Sequence, residues 1–214
     1  MTEAVERYAD LASRVLARPA RLGGVRLVAI DGPSGTGKTT FARRLAAALS
    51  ALVDVEVVPT DAFLRGWSPP LSVWPELRSD VLDPIASGEP GSYRPYDWTT
   101  NRVGEVSVEV RVPDVLVLEG VTSAREAVRA ELSFAVFVTG DATRRFARSL
   151  ARDGEEVAAA LRDWQAAENM YFNAERPADR ADLVVDGTTD LRHDPEREYV
   201  RRYDSVRRRE DGAI

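Results

Sequence analysis

The sequence of 214 residues contains no cysteine. Disulfides, thiol nucleophiles and cysteine metal sites are therefore excluded. A single histidine, His193, excludes a multi-histidine metal centre, and its place in a charged stretch near the end reads as a solvated side chain. No run approaches the ~18 apolar residues that cross a bilayer. Met1-Thr2-Glu3-Ala4-Val5-Glu6 has neither the basic start nor the apolar block of a signal peptide. These absences predict a soluble cytoplasmic protein with no membrane partner. Positive charge is also in deficit: 29 Lys and Arg stand against 35 Asp and Glu, a net charge of −6. Nucleic-acid binding, which runs on cationic surface, is not expected. Lysine is scarcest of all. All but one of the 29 basic residues are arginine, and the exception is Lys38.

What is present is apolar material enough for a core, 44% of the chain. Val5, Tyr8, Ala12, Val15 and Leu16 recur at helical spacing over 3–17. Val25–Ile30, Val53–Val58, Val115–Leu118, Phe134–Val138 and Leu183–Val185 read as buried strands, and 38–50, 123–132 and 141–176 as helices, the last broken near Gly154. Residues 64–75 read as loop, Ser79–Ser87 as a short helix and Val106–Val112 as an edge strand or hairpin arm. Strands apolar on both faces and alternating with helices predict an α/β fold: a doubly wound, mainly parallel sheet of about five strands, helices on both faces and a small helical lid. The expected organisation is an N-terminal helix packed on the core over 1–22, a nucleotide-binding domain over 23–189 with its lid at 141–176, and a charged C-terminal helix or tail over 190–214. Tyr199, Val200, Tyr203 and Val206 would form one face of that helix.

Residues 32–39 read Gly-Pro-Ser-Gly-Thr-Gly-Lys-Thr, the pattern of a phosphate-binding loop between a strand and a helix. Such a loop turns successive amides onto phosphate oxygens at a helix N-terminus. Gly32, Ser34, Gly35, Thr36, Gly37, Lys38, Thr39 and Thr40 are the candidate residues for ATP. Lys38 would reach the β- and γ-phosphates, and Thr39 would offer its hydroxyl to Mg²⁺. The lone lysine of the chain sits where that chemistry requires an ammonium.

Two acids follow strands and should lie beside the loop, where open α/β sheets bind ligands. Glu119 ends Leu116-Val117-Leu118, and Asp61 follows Val57-Val58-Pro59-Thr60. Glu119 and Asp61 join Thr39 as candidate metal-side groups, and Asp61 is also the candidate to take a proton from an attacking alcohol. Arg144, Arg145, Arg148 and Arg152 share one predicted helix, and Arg148 and Arg152 share a face, placed to neutralise phosphates as a lid closes. Arg176 and Arg180 are weaker candidates of the same kind. The Tyr93-Arg94-Pro95-Tyr96-Asp97-Trp98 stretch offers aromatic surface to a base.

Beyond the loop, Thr60-Asp61-Ala62-Phe63, Tyr96-Asp97-Trp98 after Gly88, Leu118-Glu119-Gly120-Val121, Arg152-Asp153 and Ala181-Asp182-Leu183-Val184-Val185 occur in an order and spacing that resemble the uridine kinase branch of P-loop kinases, related also to phosphoribulokinase and pantothenate kinase. The likeness spans about 25–187. It implies ATP- and Mg²⁺-dependent transfer of the γ-phosphate to the 5′-hydroxyl of a pyrimidine nucleoside. Carried over, Asp61 is the acceptor-side base, Tyr96 and Trp98 flank the nucleobase, Arg148 and Arg152 hold phosphates, and Glu119 lies near the metal; Phe63, Tyr93, Asn101 and Arg102 complete the expected substrate-binding set. Three features depart from the family. Asn101 stands at about the place of a base-contacting histidine. The segment from Phe63 to Pro84 is shorter, leaving Asp80 and Asp83 as alternative ribose-binding acids. The lid continues Asp153-Gly154-Glu155-Glu156 without further arginines. A small-molecule partner is expected, with homo-oligomerisation open. Two alternatives also stay open: a kinase for another hydroxyl compound such as pantothenate or a sugar, and a non-catalytic ATP-binding regulatory module.

Overall fold

The computed structural model describes residues 2–203. In chain order it contains β1 (Thr2–Arg7), α1 (Tyr8–Leu16), β2 (Arg26–Asp31), α2 (Lys38–Ser50), β3 (Val55–Pro59), α3 (Trp74–Leu77), α4 (Asp83–Ala86), β4 (Gly91–Tyr93), β5 (Tyr96–Asp97), β6 (Arg102–Val103), β7 (Val108–Val110), β8 (Val115–Glu119), β9 (Leu132–Thr139), α5 (Ala142–Asp153), α6 (Ala158–Glu175), α7 (Pro177–Arg180), β10 (Leu183–Asp186) and β11 (Glu198–Tyr203). One sheet holds seven strands in the order β1-β11-β10-β9-β2-β8-β3. From β10 to β3 every pairing is parallel, the α/β arrangement expected from the sequence.

The strands alternate between two layers, as a period of two requires. Leu27, Ala29, Leu116 and Leu118 face a core completed by Trp74, Leu77, Leu82, Ile85 and Trp164. Val28, Ile30, Val115 and Val117 face a second core built with Leu11 and Val15 of α1 and Phe41, Leu45 and Leu49 of α2. Both faces being covered explains why β2 and β8 read as unbroken apolar runs. Truncating a side chain such as Leu116 to alanine removes packing worth about 2–5 kcal/mol.

The termini differ from expectation. Residues 2–7 form a strand, so the first helix begins at Tyr8 rather than near residue 3, and Val5 is exposed instead of joining the helix's apolar face. Its partner is β11, antiparallel with Val5 opposite Val200. The helical face proposed around Tyr199 and Val200 is therefore a strand. The ladder pairing of Tyr199 with Glu6 and Val200 with Val5 makes this chain extended, and both side chains are buried because both faces of the sheet are covered there. Val206 lies outside the described residues. These two antiparallel strands raise the sheet from the expected five to seven.

Three smaller differences are local. Residues 126–131 are a 3₁₀ turn rather than an α-helix. The expected loop over 64–75 contains a 3₁₀ turn at Pro70–Val73. The expected short helix over 79–87 begins earlier, at Trp74, and runs through a π-helical stretch at Arg78–Leu82 into α4. The helices expected over 141–176 are present: α5 starts where the Asp141 carboxylate accepts from Arg144 N at 2.9 Å, and Gly154 breaks it from α6.

Candidate active site

The loop from Gly32 to Thr39 joins β2 to α2. Its root is Asp31, fully buried at the strand end. The Asp31 carboxylate accepts from Gly32 N at 2.7 Å, Thr122 N at 3.1 Å, Ala124 N at 3.0 Å and the Tyr171 hydroxyl at 2.6 Å. Three elements are thereby tied to one carboxyl. Burial outweighs these donors and raises its pKa to about 6, while burial and the facing Asp31 push the Tyr171 phenol above its ordinary range. At Gly35 (φ +78°) a Cβ would lie 2.2 Å from the Arg145 carbonyl oxygen, so only glycine lets α5 lie on the loop. The Thr36 hydroxyl and the Lys38 ammonium both donate to the Pro33 carbonyl, at 2.9 and 3.1 Å. Lys38 is 9% exposed, its charge folded over the loop.

The facing wall comes from β8 and from the 3₁₀ turn Thr60–Phe63. Glu119 is 5% exposed and accepts from the Thr39 hydroxyl at 3.0 Å. Burial raises its pKa, against the pull of Lys38 and with a further push from Asp61. Gly120 (φ +135°) makes the approach possible: a Cβ there would lie 1.9 Å from the Thr60 hydroxyl, the residue that precedes Asp61.

These residues enclose a cavity of about 480 Å³. Ser34, Gly35, Gly37, Lys38, Thr39 and Thr40 line it from the loop side, with Asp61, Glu119, Arg148 and Arg152 opposite and above. The predicted phosphate and metal groups are thus brought together, apart from Gly32, which packs against the Val138 backbone, and Thr36, which lines a neighbouring space. Asp80 and Asp83 line neither, and Asp83 is paired with Arg78 at 2.8 Å.

The arginines divide. Arg148 donates to Gly187 O at 2.7 Å, and Arg152 is held on Asp153 at 2.6 and 2.7 Å. Arg144 turns away to Asp190 and the Thr188 carbonyl, and Arg145 is half-buried against Ser34 O at 3.1 Å. Arg176 and Arg180 pair with Asp179 and Glu126 at the far end of α6. Ser149, between Arg148 and Arg152 in sequence, is buried, lines the cavity, and its hydroxyl has no partner.

The aromatic candidates also divide. Phe63 and Tyr93 stack at 4.7 Å inside the core and line neither space. Tyr96 and Trp98 stay nearer the surface, in edge contact at 5.3 Å, and the Tyr96 hydroxyl donates to Asn101; these three and Arg102 line neither space. Arg102 is exposed on β6. The sequence reading did not anticipate Trp67 and Trp164, which extend this group at 5.7 Å from Trp98 and 6.1 Å from Trp67.

A second cavity of about 290 Å³ adjoins the first across Gly37, Thr40 and Arg148. Asp186, Gly187, Thr189, His193 and Tyr199 form its far wall. His193 is therefore half-buried at a cavity, not the solvated residue expected, and its Nδ1 meets Leu191 O at 2.8 Å. The available signal was Val185-Asp186-Gly187 at a strand end.

No family model matches the chain. A uridine kinase from Deinococcus deserti is 33% identical over 145 residues, covering 61% of this chain and 69% of that one. The chain belongs to the uridine kinase-like P-loop kinases. Two solved structures share the fold of this uridine kinase-like chain. One, from Bacillus stearothermophilus and named for a possible uridine kinase, has a TM-score of 0.62 at 22% identity over 83% of this chain and 96% of its own. The other, a candidate fructose transport system kinase from Silicibacter sp. TM1040, has a TM-score of 0.63 at 25% identity over 82% and 95%.

Proposed function

We propose that this uridine kinase-like protein transfers the γ-phosphate of ATP to the 5′-hydroxyl of a pyrimidine nucleoside. The observation that carries this reading is the single cavity of about 480 Å³ that gathers Lys38, Thr39, Asp61, Glu119, Arg148 and Arg152. Its dimensions and the unpartnered Ser149 hydroxyl suit a triphosphate bound along the loop. The adenine would occupy the adjoining cavity beside Gly187 and Thr189.

The donor set fits magnesium. Thr39, Glu119 and Asp61 are hard oxygen ligands, and this ion commonly uses one or two carboxylates with water and phosphate. Among the described residues no cluster of three or more His, Cys, Asp or Glu forms an all-protein cage. When bound, magnesium neutralises charge on the phosphate oxygens. Lys38 and the loop amides hold the β- and γ-phosphates and stabilise charge as the γ-phosphoryl leaves the β-phosphate oxygen. Asp61 accepts the proton of the attacking hydroxyl as its oxygen bonds to phosphorus, leaving ADP and the phosphorylated acceptor. Arg148 and Arg152 leave Gly187 O and Asp153 to bind the transferring group as α5 closes.

The Tyr96–Asn101 hydrogen bond favours a second acceptor class. It commits the Tyr96 hydroxyl and the Asn101 amide oxygen, two groups that would otherwise be open to a base, to one another. A sugar or another small alcohol would need less from these side chains than a base does. Incubation with ATP, Mg²⁺ and, separately, uridine, cytidine, fructose and pantothenate, with the phosphorylated product identified by mass spectrometry, decides between them. A 5′-monophosphate with either nucleoside is expected. Product only with the sugar or pantothenate would move the acceptor to the second class, and ADP release with none would remove the kinase reading.

A further inference from the structure

Besides Asp31 at the loop's root, the mechanism above leaves a second buried carboxylate unused. Glu168, in the middle of α6, is 1% exposed. Both of its oxygens lie 3.1 Å from the Ser34 amide nitrogen, in the phosphate loop 134 residues earlier. The Ser34 hydroxyl also donates to Glu168, and Trp164 Nε1 donates to the same carboxylate at 2.6 Å and reaches the Ser34 hydroxyl at 3.0 Å. On its other side Ser34 is held at its carbonyl by Arg145 of α5, at 3.1 Å. Amide, hydroxyl and carbonyl of one loop residue are thus all bonded to the two lid helices.

A buried carboxylate is costly unless fully bonded, and here three donors converge on it. A charge-assisted hydrogen bond to a main-chain amide is among the stronger fixings a loop can have. Ser34 and Gly35 line the cavity assigned to phosphate. Whatever fixes Ser34 fixes how the following amides point.

We infer that Glu168 is a positioning residue for nucleotide binding: its carboxylate holds the Ser34–Gly35 segment of the phosphate loop in its anion-binding shape and makes α6 part of that site. The inference rests on reading the loop as a nucleotide site, and it deepens that reading. Trp164, which shares the carboxylate, also touches Trp67 and through it Trp98.

The test is ATP binding by calorimetry with Mg²⁺ and no acceptor, which does not depend on acceptor identity. Glu168→Gln keeps the shape, loses the charge and turns an amide donor toward groups that are already donors. It is expected to weaken ATP binding roughly tenfold, with a matching rise in KM for ATP and an unchanged KM for the acceptor. A merely structural role would lower the thermal midpoint and the active fraction and leave the ATP constants alone. ATP binding within about twofold of wild type overturns the inference. Tighter binding also overturns it, because the carboxylate would then be competing with phosphate. Should Glu168→Gln not fold, Trp164→Phe removes one donor from the same group, and a roughly threefold weakening is expected; no change again overturns the inference. A wild-type protein that binds no ATP removes the nucleotide-site reading, and this inference with it.

Discussion

Around the phosphate loop, Asp31, Lys38, Glu119 and Glu168 are buried, and each is bonded to groups from another part of the chain or to the loop itself. Outside the cavity, Trp67, in a bend, and Trp98, in a turn next to the two-residue strands β5 and β6, stand 40% and 46% exposed. One region is over-determined by hydrogen bonds that solvent cannot compete for. The other, the stretch around Trp67 and Trp98, is held by ring edges and a short strand pairing. A transition state carrying negative charge needs fixed donors, because reorganising them during transfer costs rate. An acceptor pocket has only to discriminate among neutral molecules, and partly exposed rings suffice for that.

This contrast predicts an asymmetry in how the two regions fail. Lys38→Ala should give the largest effect, a loss of kcat of roughly a thousandfold or more, measured by ADP release at saturating ATP. A loss below tenfold would break the comparison, since the rigid side would then contribute little. Asp61→Asn stands at the border between regions. Its expected cost is roughly 10²–10⁴ in kcat with KM for ATP nearly unchanged. Because Asp61 is exposed, its stability effect should stay within about 0.5 kcal/mol in denaturant unfolding.

The next effect is on stability. Asp31 has a folded-state pKa of about 6 against an ordinary 3.8. A group whose pKa is raised on folding stabilises the fold fully below its unfolded value and loses that contribution as pH rises through the folded one. The wild type should therefore gain up to about 3 kcal/mol from this group as pH falls from about 7 to about 4. Asp31→Asn should lack that slope, and urea unfolding at several pH values checks it. Parallel slopes for the two proteins would show that Asp31 does not titrate in this window. The smallest effect is expected on the loose side. Trp98→Ala should raise KM for the acceptor roughly tenfold and leave KM for ATP alone, in steady-state kinetics that vary each substrate separately. Equal changes in both constants would mean that the two regions are coupled more tightly than their packing implies.

The rigid side was also the more legible one. Gly32 to Thr39 announces its own conformation, because glycines at fixed spacing followed by Lys-Thr have few other uses between a strand and a helix. Glu119 and Asp61 were found by their place at strand ends, which a parallel sheet brings to one edge. Phe63 and Tyr93 were drawn into the substrate set by their neighbours in sequence, yet the structure stacks them in the core. Local sequence does not say which side of a short turn faces the cavity. Glu168 gave no signal at all: on α6 it is one acid among several, and only the crossing of α6 over the loop gives it Ser34 as a partner.

The sequence alone determined the parallel α/β core, the loop that can hold phosphate and the acids beside it. Each of these depends on residues a few positions apart, where backbone geometry leaves little choice. Tertiary structure decided the rest: the pairing of Thr2–Arg7 with Glu198–Tyr203, the second cavity under that pair, and the clamp of Glu168 and Arg145 on Ser34. These contacts join segments more than a hundred residues apart. Their free energy comes from burial and from hydrogen bonds completed only once the chain has packed, so no local pattern records them.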